Sequence, residues 1–442
     1  MTHVVVFVPG IMGSKLCLGA DVVWPGSVSS LILEYKRMPD LMRPDLVATD
    51  ILRNFAGIYS IYDPIIVDLD ACGFEEHGKP QTLYVFPYDW RKSNYLAAAA
   101  LADRLDEVRA GHAGDLKITL IAHSMGGLVS RCYLESGDFD YRSGMASVRM
   151  LITIGTPHRG AAAAALYAAG IEKKLFLSAS QVQLLASDRR YPAVYELLPP
   201  EGELFAWPYE ESTALAALNI YDKPIADGIG LIDENLQAAQ KFHARLNSAR
   251  RPPHVRYFAF YGTRLNTAVN VRLKKDGSAL RTSPVRIDDA GDGTVPVWST
   301  LAGVQSMPVG QEHMKLFRDE GLRRTLAILL GAPGRLAAPS QVQVVANERV
   351  VDTDEIVSVA LVFPGGATSI DGSVRWVNVP ADGSPAQPAG DAASVQYSGA
   401  PVDKIGLQLT TPAFCGYYRI EFADAAGTPV VPDEIIVQEK AA

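Results

Sequence analysis

The stretch LKITLIAHSMGGLVSRCYLE, residues 116–135, constrains the fold more than any other part of the chain. An apolar, β-branched run ends at Ala122, and helical spacing of apolar residues starts at Gly126. Only His123, Ser124 and Met125 lie between them. A strand that becomes a helix in so few residues is crowded at the turn. The positions two before and two after the serine must therefore be small. Here they are Ala122 and Gly126, and Gly127 gives the helix further room against a sheet. The spacing predicts a strand over 116–122, a helix over 126–134, and Ser124 raised on the turn between them.

Other segments fit the same scheme. The runs 3–8, 82–86, 148–154 and 255–261 read as strands, and 97–110 as a helix that ends at Gly111. Strands alternating with helical patterns predict an α/β architecture, a parallel sheet with helices on both faces. Two segments interrupt the rhythm. Residues 24–60 are apolar but irregular, and residues 161–250 are long and mostly helical in pattern. Insertions into such sheets lie over the carboxyl ends of the strands, where ligands bind, so both are read as cap or lid insertions.

Beyond GAPGRLAAPS the texture changes to short strand-like runs: VQVV, IVSVALVF, VRWVNV, SVQY, KIGLQL, YYRIEF and EIIVQ, separated by Gly/Pro/Asp/Ser clusters. That pattern predicts an all-β, immunoglobulin-like sandwich. Charge marks the same boundary. Residues 336–442 carry 5 Lys+Arg against 13 Asp+Glu, which accounts for the whole net charge of -8. The expected division is 1–335 and 336–442. An acidic balance argues against nucleic acid as a partner, and the acidic β-domain is the expected surface for a protein partner. The four cysteines, Cys17, Cys72, Cys132 and Cys415, are scattered, with no CxxC pair and no metal-ligand spacing. No metal and no cofactor is expected. No apolar run reaches the roughly 18 residues that span a bilayer. The opening MTHVVVFVPG lacks a basic n-region and reads as a first strand, so a cytoplasmic location is expected.

A serine hydroxyl is a weak nucleophile without a histidine base, and the base needs an acid to fix its tautomer. In a strand–turn–helix arrangement of this kind the acid and then the histidine follow the serine in chain order. Beyond the loop after the fourth strand lie His243, His254 and His313. His243 falls in a helical stretch and His254 precedes a strand at the end away from the turn, so His313, in VGQEHMKLF, is the expected base. For the acid, DDAGDGTVP offers Asp288, Asp289 and Asp292. Asp292, between glycines and ahead of an extended run, is preferred, with Asp289 second. The oxyanion of an acyl-transfer intermediate needs two backbone N–H donors. Met125 supplies one, and Ile11 or Met12, in the glycine-rich VPGIMGS after the first strand, supplies the other. Met12 and His158, the latter in GTPHRG after the fourth strand, are candidate substrate contacts. Asp89, Trp90 and Arg91 read as a structural knot.

The motifs VPGIMGSKL, FPYDWR, AHSMGG, GTPHRGA, GDGTVPVWSTL and EHMKLF occur in the order found in the lecithin:cholesterol acyltransferase family, which includes lysosomal phospholipase A2. The chain resembles that family over roughly residues 3–332. The resemblance implies an α/β-hydrolase fold and a Ser124–Asp292–His313 triad, with Ile11 and Met125 at the oxyanion positions. It also implies a lipid acyl ester as substrate, with membrane-surface contact through the cap. Cys17 and Cys72 do not reproduce the family's disulfide-bounded lid, and the C-terminal β-domain is not part of the family core. The expected activity is hydrolysis through an acyl-enzyme. Acyl transfer to an alcohol is the alternative, and a non-catalytic scaffold with a binding role is the contrasting class.

Overall fold

The computed structural model describes residues 2–26, 35–55, 59–208, 217–277, 279–300, 303–332, 342–348, 350–380, 384–427 and 430–439. Its N-terminal part contains strands β1 (Thr2–Val8), β2 (Leu83–Val85), β3 (Leu116–His123), β4 (Val148–Ile154) and β5 (Arg256–Gly262). An antiparallel pair, β6 (Leu265–Asp276) and β7 (Ala279–Gly291), follows, and then β8 (Gln305–Val309). One parallel sheet runs in the order β8-β5-β4-β3-β1-β2. Val4 to Val8 are wholly buried, as a strand covered on both faces must be.

The helices that matter here are α1 (Asn94–Ala110), α2 (Met125–Glu135), α3 (Ala162–Ala168), α4 (Ala179–Ala186), α5 (Asp233–Arg245) and α6 (Glu320–Leu330). Ser93 caps α1 by accepting from Tyr95 N–H at 3.2 Å. Every residue of α2 is buried, because it lies between the sheet and neighbours that include α1 and α5. The five strands and two helices expected from the sequence are present, each within three residues of its predicted ends.

The 161–250 insertion is mostly helical. The 24–60 insertion includes the strand Val47–Ile51, which pairs with Ser14–Leu18 in a small antiparallel sheet. Parts of both, residues 27–34, 56–58 and 209–216, lie outside the described residues, as does the expected boundary at 335/336. The β6–β7 hairpin has no counterpart among the expected elements.

The C-terminal part is a separate curled β-sheet. It contains β9 (Val342–Ala346), β10 (Val350–Asp352), β11 (Ile356–Asn378), β12 (Ala393–Thr410), β13 (Gly416–Asp424) and β14 (Asp433–Gln438). The order β10-β14-β13-β11-β9 holds, with β12 also on β11. The seven short runs expected here are joined into fewer, longer strands. IVSVALVF and VRWVNV are the two ends of β11, and SVQY and KIGLQL are parts of β12. The β11–β12 register shifts between Val362 and Ala367 and again before Ser369. The glycine- and proline-containing segments there bend the ladder without ending it.

Candidate active site

Ser124 begins α2 directly after β3. Its φ of +50° lies in the left-handed region, and its N–H donates to Ile154 O on the neighbouring strand at 2.9 Å. A non-glycine residue held there is strained, and the sharp turn lifts its side chain above the sheet. The small residues predicted around it have physical reasons. A Cβ on Gly126 would run into the carbonyls of Val8 and Pro9, and one on Gly127 into the Thr156 side chain.

The loop after β1 folds against this turn. A Cβ on Gly10 would sit 2.8 Å from Ser124 Cβ, and Met12 has a φ of +61°. Gly13 N–H closes the loop onto Gly10 O at 3.0 Å. At the start of α2 the Met125 N–H has no intrahelical acceptor. Ile11 and Met12 line one cavity with Ser124.

His313 Nε2 lies 2.9 Å from Ser124 Oγ, and His313 Nδ1 lies 2.8 Å from Asp292 Oδ2. The carboxyl oxygen can only accept, so Nδ1 carries the proton and Nε2 accepts from the serine hydroxyl. All three side chains are buried. Asp292 Oδ1 accepts from Thr294 N–H at 3.0 Å and Val295 N–H at 2.6 Å, and Asp292 O accepts from His313 N–H at 3.0 Å. These bonds replace the extended run expected after Asp292. The chain folds back on the carboxyl, bridges Gly291 to Pro296, and continues as a 3-10 turn over Val297–Ser299. Asp289, the second choice, is exposed and paired with Lys404 at 2.9 Å, while Asp288 accepts from Asn266. Neither is at the site.

Sequence reasoning gave His123 no role and did not point to Tyr62. Gly10 N–H donates to Tyr62 Oη at 2.9 Å, Tyr62 Oη–H donates to His123 Nδ1 at 2.9 Å, and His123 Nε2–H donates to His313 O at 3.1 Å. The chain of donors is consistent only with a neutral His123. Burial, followed by the neighbouring His313, pushes its pKa well below the ordinary histidine value. A lone tyrosine in IYDPI gives no sequence signal of such a role.

The cavity beside Ser124 is small, about 30 Å³, and is lined by Pro157, Ala161, Ala163, Ala164, Val182, Leu197 and other mostly apolar residues. Tyr167, Lys174 and Thr294 line both this cavity and a separate cleft of about 630 Å³. The far wall of that cleft belongs to the C-terminal sheet, including Asn347, Glu348 and Glu355. His158 is behind the cavity, not on it. It is buried, its Nε2 bonds Thr153 Oγ1 at 3.0 Å, and Pro157 takes the lining position. Arg91 is clamped by Asp89 and donates to the carbonyl of Arg43 at 2.8 Å, which makes that cluster structural. Among the described residues no group of three or more His, Cys, Asp or Glu is arranged to hold a metal.

A model of the lecithin:cholesterol acyltransferase family matches residues 35–225. Over that region the chain is similar to the lecithin:cholesterol acyltransferase family, and its fold is that of an α/β-hydrolase. Two Arabidopsis thaliana relatives are similar to it. Lecithin-cholesterol acyltransferase-like 4 is 32% identical over 339 residues, and the match covers 64% of this chain and 61% of that protein. Phospholipase A(1) LCAT3 is 26% identical over 354 residues, covering 68% of this chain and 76% of that protein. The chain thus spans under two thirds of the first relative's length. A solved Tle4–Tli4 complex contains a chain with the same fold, at a TM-score of 0.53 and 17% identity, covering 75% of this chain and 98% of that one.

Proposed function

We propose that the chain is a serine esterase that cleaves lipid acyl esters in the manner of a phospholipase A. The observation that carries this reading is the hydrogen-bonded line from Ser124 Oγ through His313 to Asp292, set beside an apolar cavity. The similarity to a protein named as a phospholipase A(1) supports lipid as the substrate class.

In this reading His313 Nε2 takes the Ser124 proton as Oγ attacks the ester carbonyl. Asp292 keeps His313 in the tautomer that can accept it and stabilises the imidazolium that forms. The Ile11 and Met125 N–H groups receive the oxyanion. His313 returns the proton to the leaving alcohol, and an acyl group remains on Ser124. Water, activated by the same histidine, then releases a fatty acid.

Incubation with mixed phospholipid and neutral-lipid vesicles plus a long-chain alcohol, read by lipid mass spectrometry, tests the reading. Free fatty acid and lysolipid that vanish in Ser124→Ala are the expected products. Ser124-dependent acylated alcohol makes the enzyme a transferase. Absence of any Ser124-dependent product removes lipid esters as substrates.

A further inference from the structure

The turn that carries His313 is held from the C-terminal sheet. It runs from His313 to Arg318 as a 3-10 turn, so Lys315 is two residues from the histidine. Lys315 forms an ion pair with Asp433, the first residue of β14, and both side chains are almost wholly buried, at 3% and 1% exposure. Asp433 is itself fixed, because Oδ2 accepts from Ala346 N–H and Oδ1 from Glu434 N–H, each at 2.7 Å. Two further contacts bracket the turn: Gln311 donates to Gln343, and Arg318 pairs with Glu434 at 3.4 Å.

The sheet reaches the acid as well. Gly293, next to Asp292, lies so close to Asn347 O that a Cβ there would stand 3.2 Å away. Apolar packing backs these contacts. Leu265 is buried with Val345, Ala360 and Val362, and Val350 and Ile436 enter the core of the N-terminal part.

We propose that the C-terminal β-domain is a positioning part of the active site, in which Asp433, acting through Lys315, fixes the backbone of the turn that aims His313 at Ser124. The inference rests on the reading of Ser124, His313 and Asp292 as a catalytic triad. A buried ammonium is stable only where an anion faces it, so the pair has one low-energy arrangement and transmits it to the turn. An accessory domain that only recruited the enzyme would place its charged contacts away from the base.

The test uses the full chain and a soluble short-chain ester. Lys315→Met removes the cation and leaves Asp433 with its two N–H donors, and the double variant Lys315→Met/Asp433→Asn, which leaves no unpaired charge buried, makes the same test where the single one does not fold. For Lys315→Met we expect kcat lower by roughly 10- to 100-fold, the loss that small misplacements of reacting groups produce. KM stays within about twofold, as expected when binding contacts are untouched. The rate of Ser124 labelling by a fluorophosphonate falls in parallel. Lys404→Ala, which cuts an interdomain contact to Asp289 away from the turn, serves as the control and keeps wild-type kcat. Folded Lys315→Met with unchanged kcat and labelling rate overturns the proposal, as does an equal loss in Lys404→Ala. Ser124→Ala separates the two levels. If it retains turnover, the triad reading fails. If it is inactive while Lys315→Met is fully active, the triad stands and only the positioning role falls.

Discussion

His123 Nε2 donates to the main-chain carbonyl of His313 at 3.1 Å, so the residue before Ser124 holds the backbone of His313. Through Tyr62 the same chain of hydrogen bonds continues to Gly10 N–H, at the loop that carries Ile11. The turn at Ser124, the backbone of His313 and the loop after β1 are thus tied together by one chain of hydrogen bonds.

Tyr62→Phe cuts this tie. It leaves Gly10 N–H and His123 Nδ1 without their partner in a buried site, which costs about 1–3 kcal/mol. Thermal denaturation will show the lower Tm, and kcat on a soluble ester will fall because the loop and the histidine are no longer coupled.

Asp292→Asn keeps the shape of the acid and loses its ability to hold His313 in the accepting tautomer. By the behaviour of such triads, kcat falls roughly 10⁴-fold with little change in KM. Steady-state kinetics on the soluble ester reads the effect, and a loss under tenfold rejects Asp292 as the acid.

Gly126→Ala places a methyl group against the Val8 and Pro9 carbonyls. These are backbone atoms at the base of the oxyanion loop, so relief requires moving that loop. We expect a destabilisation of about 1–3 kcal/mol, typical of overpacking, accompanied by loss of activity in the protein that remains folded. Denaturant titration and active-site labelling separate the two.

The cavity at Ser124, about 30 Å³, has room for water but not for a long acyl chain. Catalysis on long chains therefore requires the wall formed by α3, α4 and the residues around Leu197 to yield. Leu197→Ala opens that wall and shifts the preferred acyl length upward in a series of esters. An unchanged chain-length profile excludes this wall as the acyl site.

Four histidines with lowered pKa, His123 and His158 buried and His3 and His243 partly so, set the response to acid. Burial pushes His3 and His243 down to about 4, and His123 and His158 well below the ordinary value of 6.5. The unfolded chain therefore binds more protons than the native one below pH 6.5. Stability from these residues is complete above 6.5 and is lost as the pH falls towards 4. Glu196, pushed up to about 7 by burial, acts in the opposite direction between its unfolded value of 4.5 and about 7, which softens the upper part of the decline. Tm measured against pH should drop from 6.5 to 4, and less steeply in His243→Gln.

Much of this was legible because the signals were local. The turn around Ser124 is dictated by crowding within six residues, and the strands of the parallel sheet are short apolar runs. The β6–β7 hairpin was given no reading, although Val269, Val271 and Leu273 alternate with Asn270, Arg272 and Lys274, because its polar and charged positions break up the apolar run that marks the sheet strands. The extended run expected after Asp292 gave way to a turn because the carboxyl itself captures two N–H groups. Tyr62, Lys315 and Asp433 were invisible for a different reason. Each acts on a partner far away in the chain, and a single tyrosine, lysine or aspartate has no spacing to betray it.

The Lys315–Asp433 pair also bears on the order of events during synthesis. Ser124, Asp292 and His313 all leave the ribosome well before the strand that starts at Asp433. His123 and Asp292 hold the backbone of His313 from within the N-terminal part, but on the proposed reading a growing chain lacks the brace at Lys315 while it is still being made. On the proposed reading, full esterase activity then arrives late, when β14 docks, and a chain clipped before Asp433 works below the rate of the whole one.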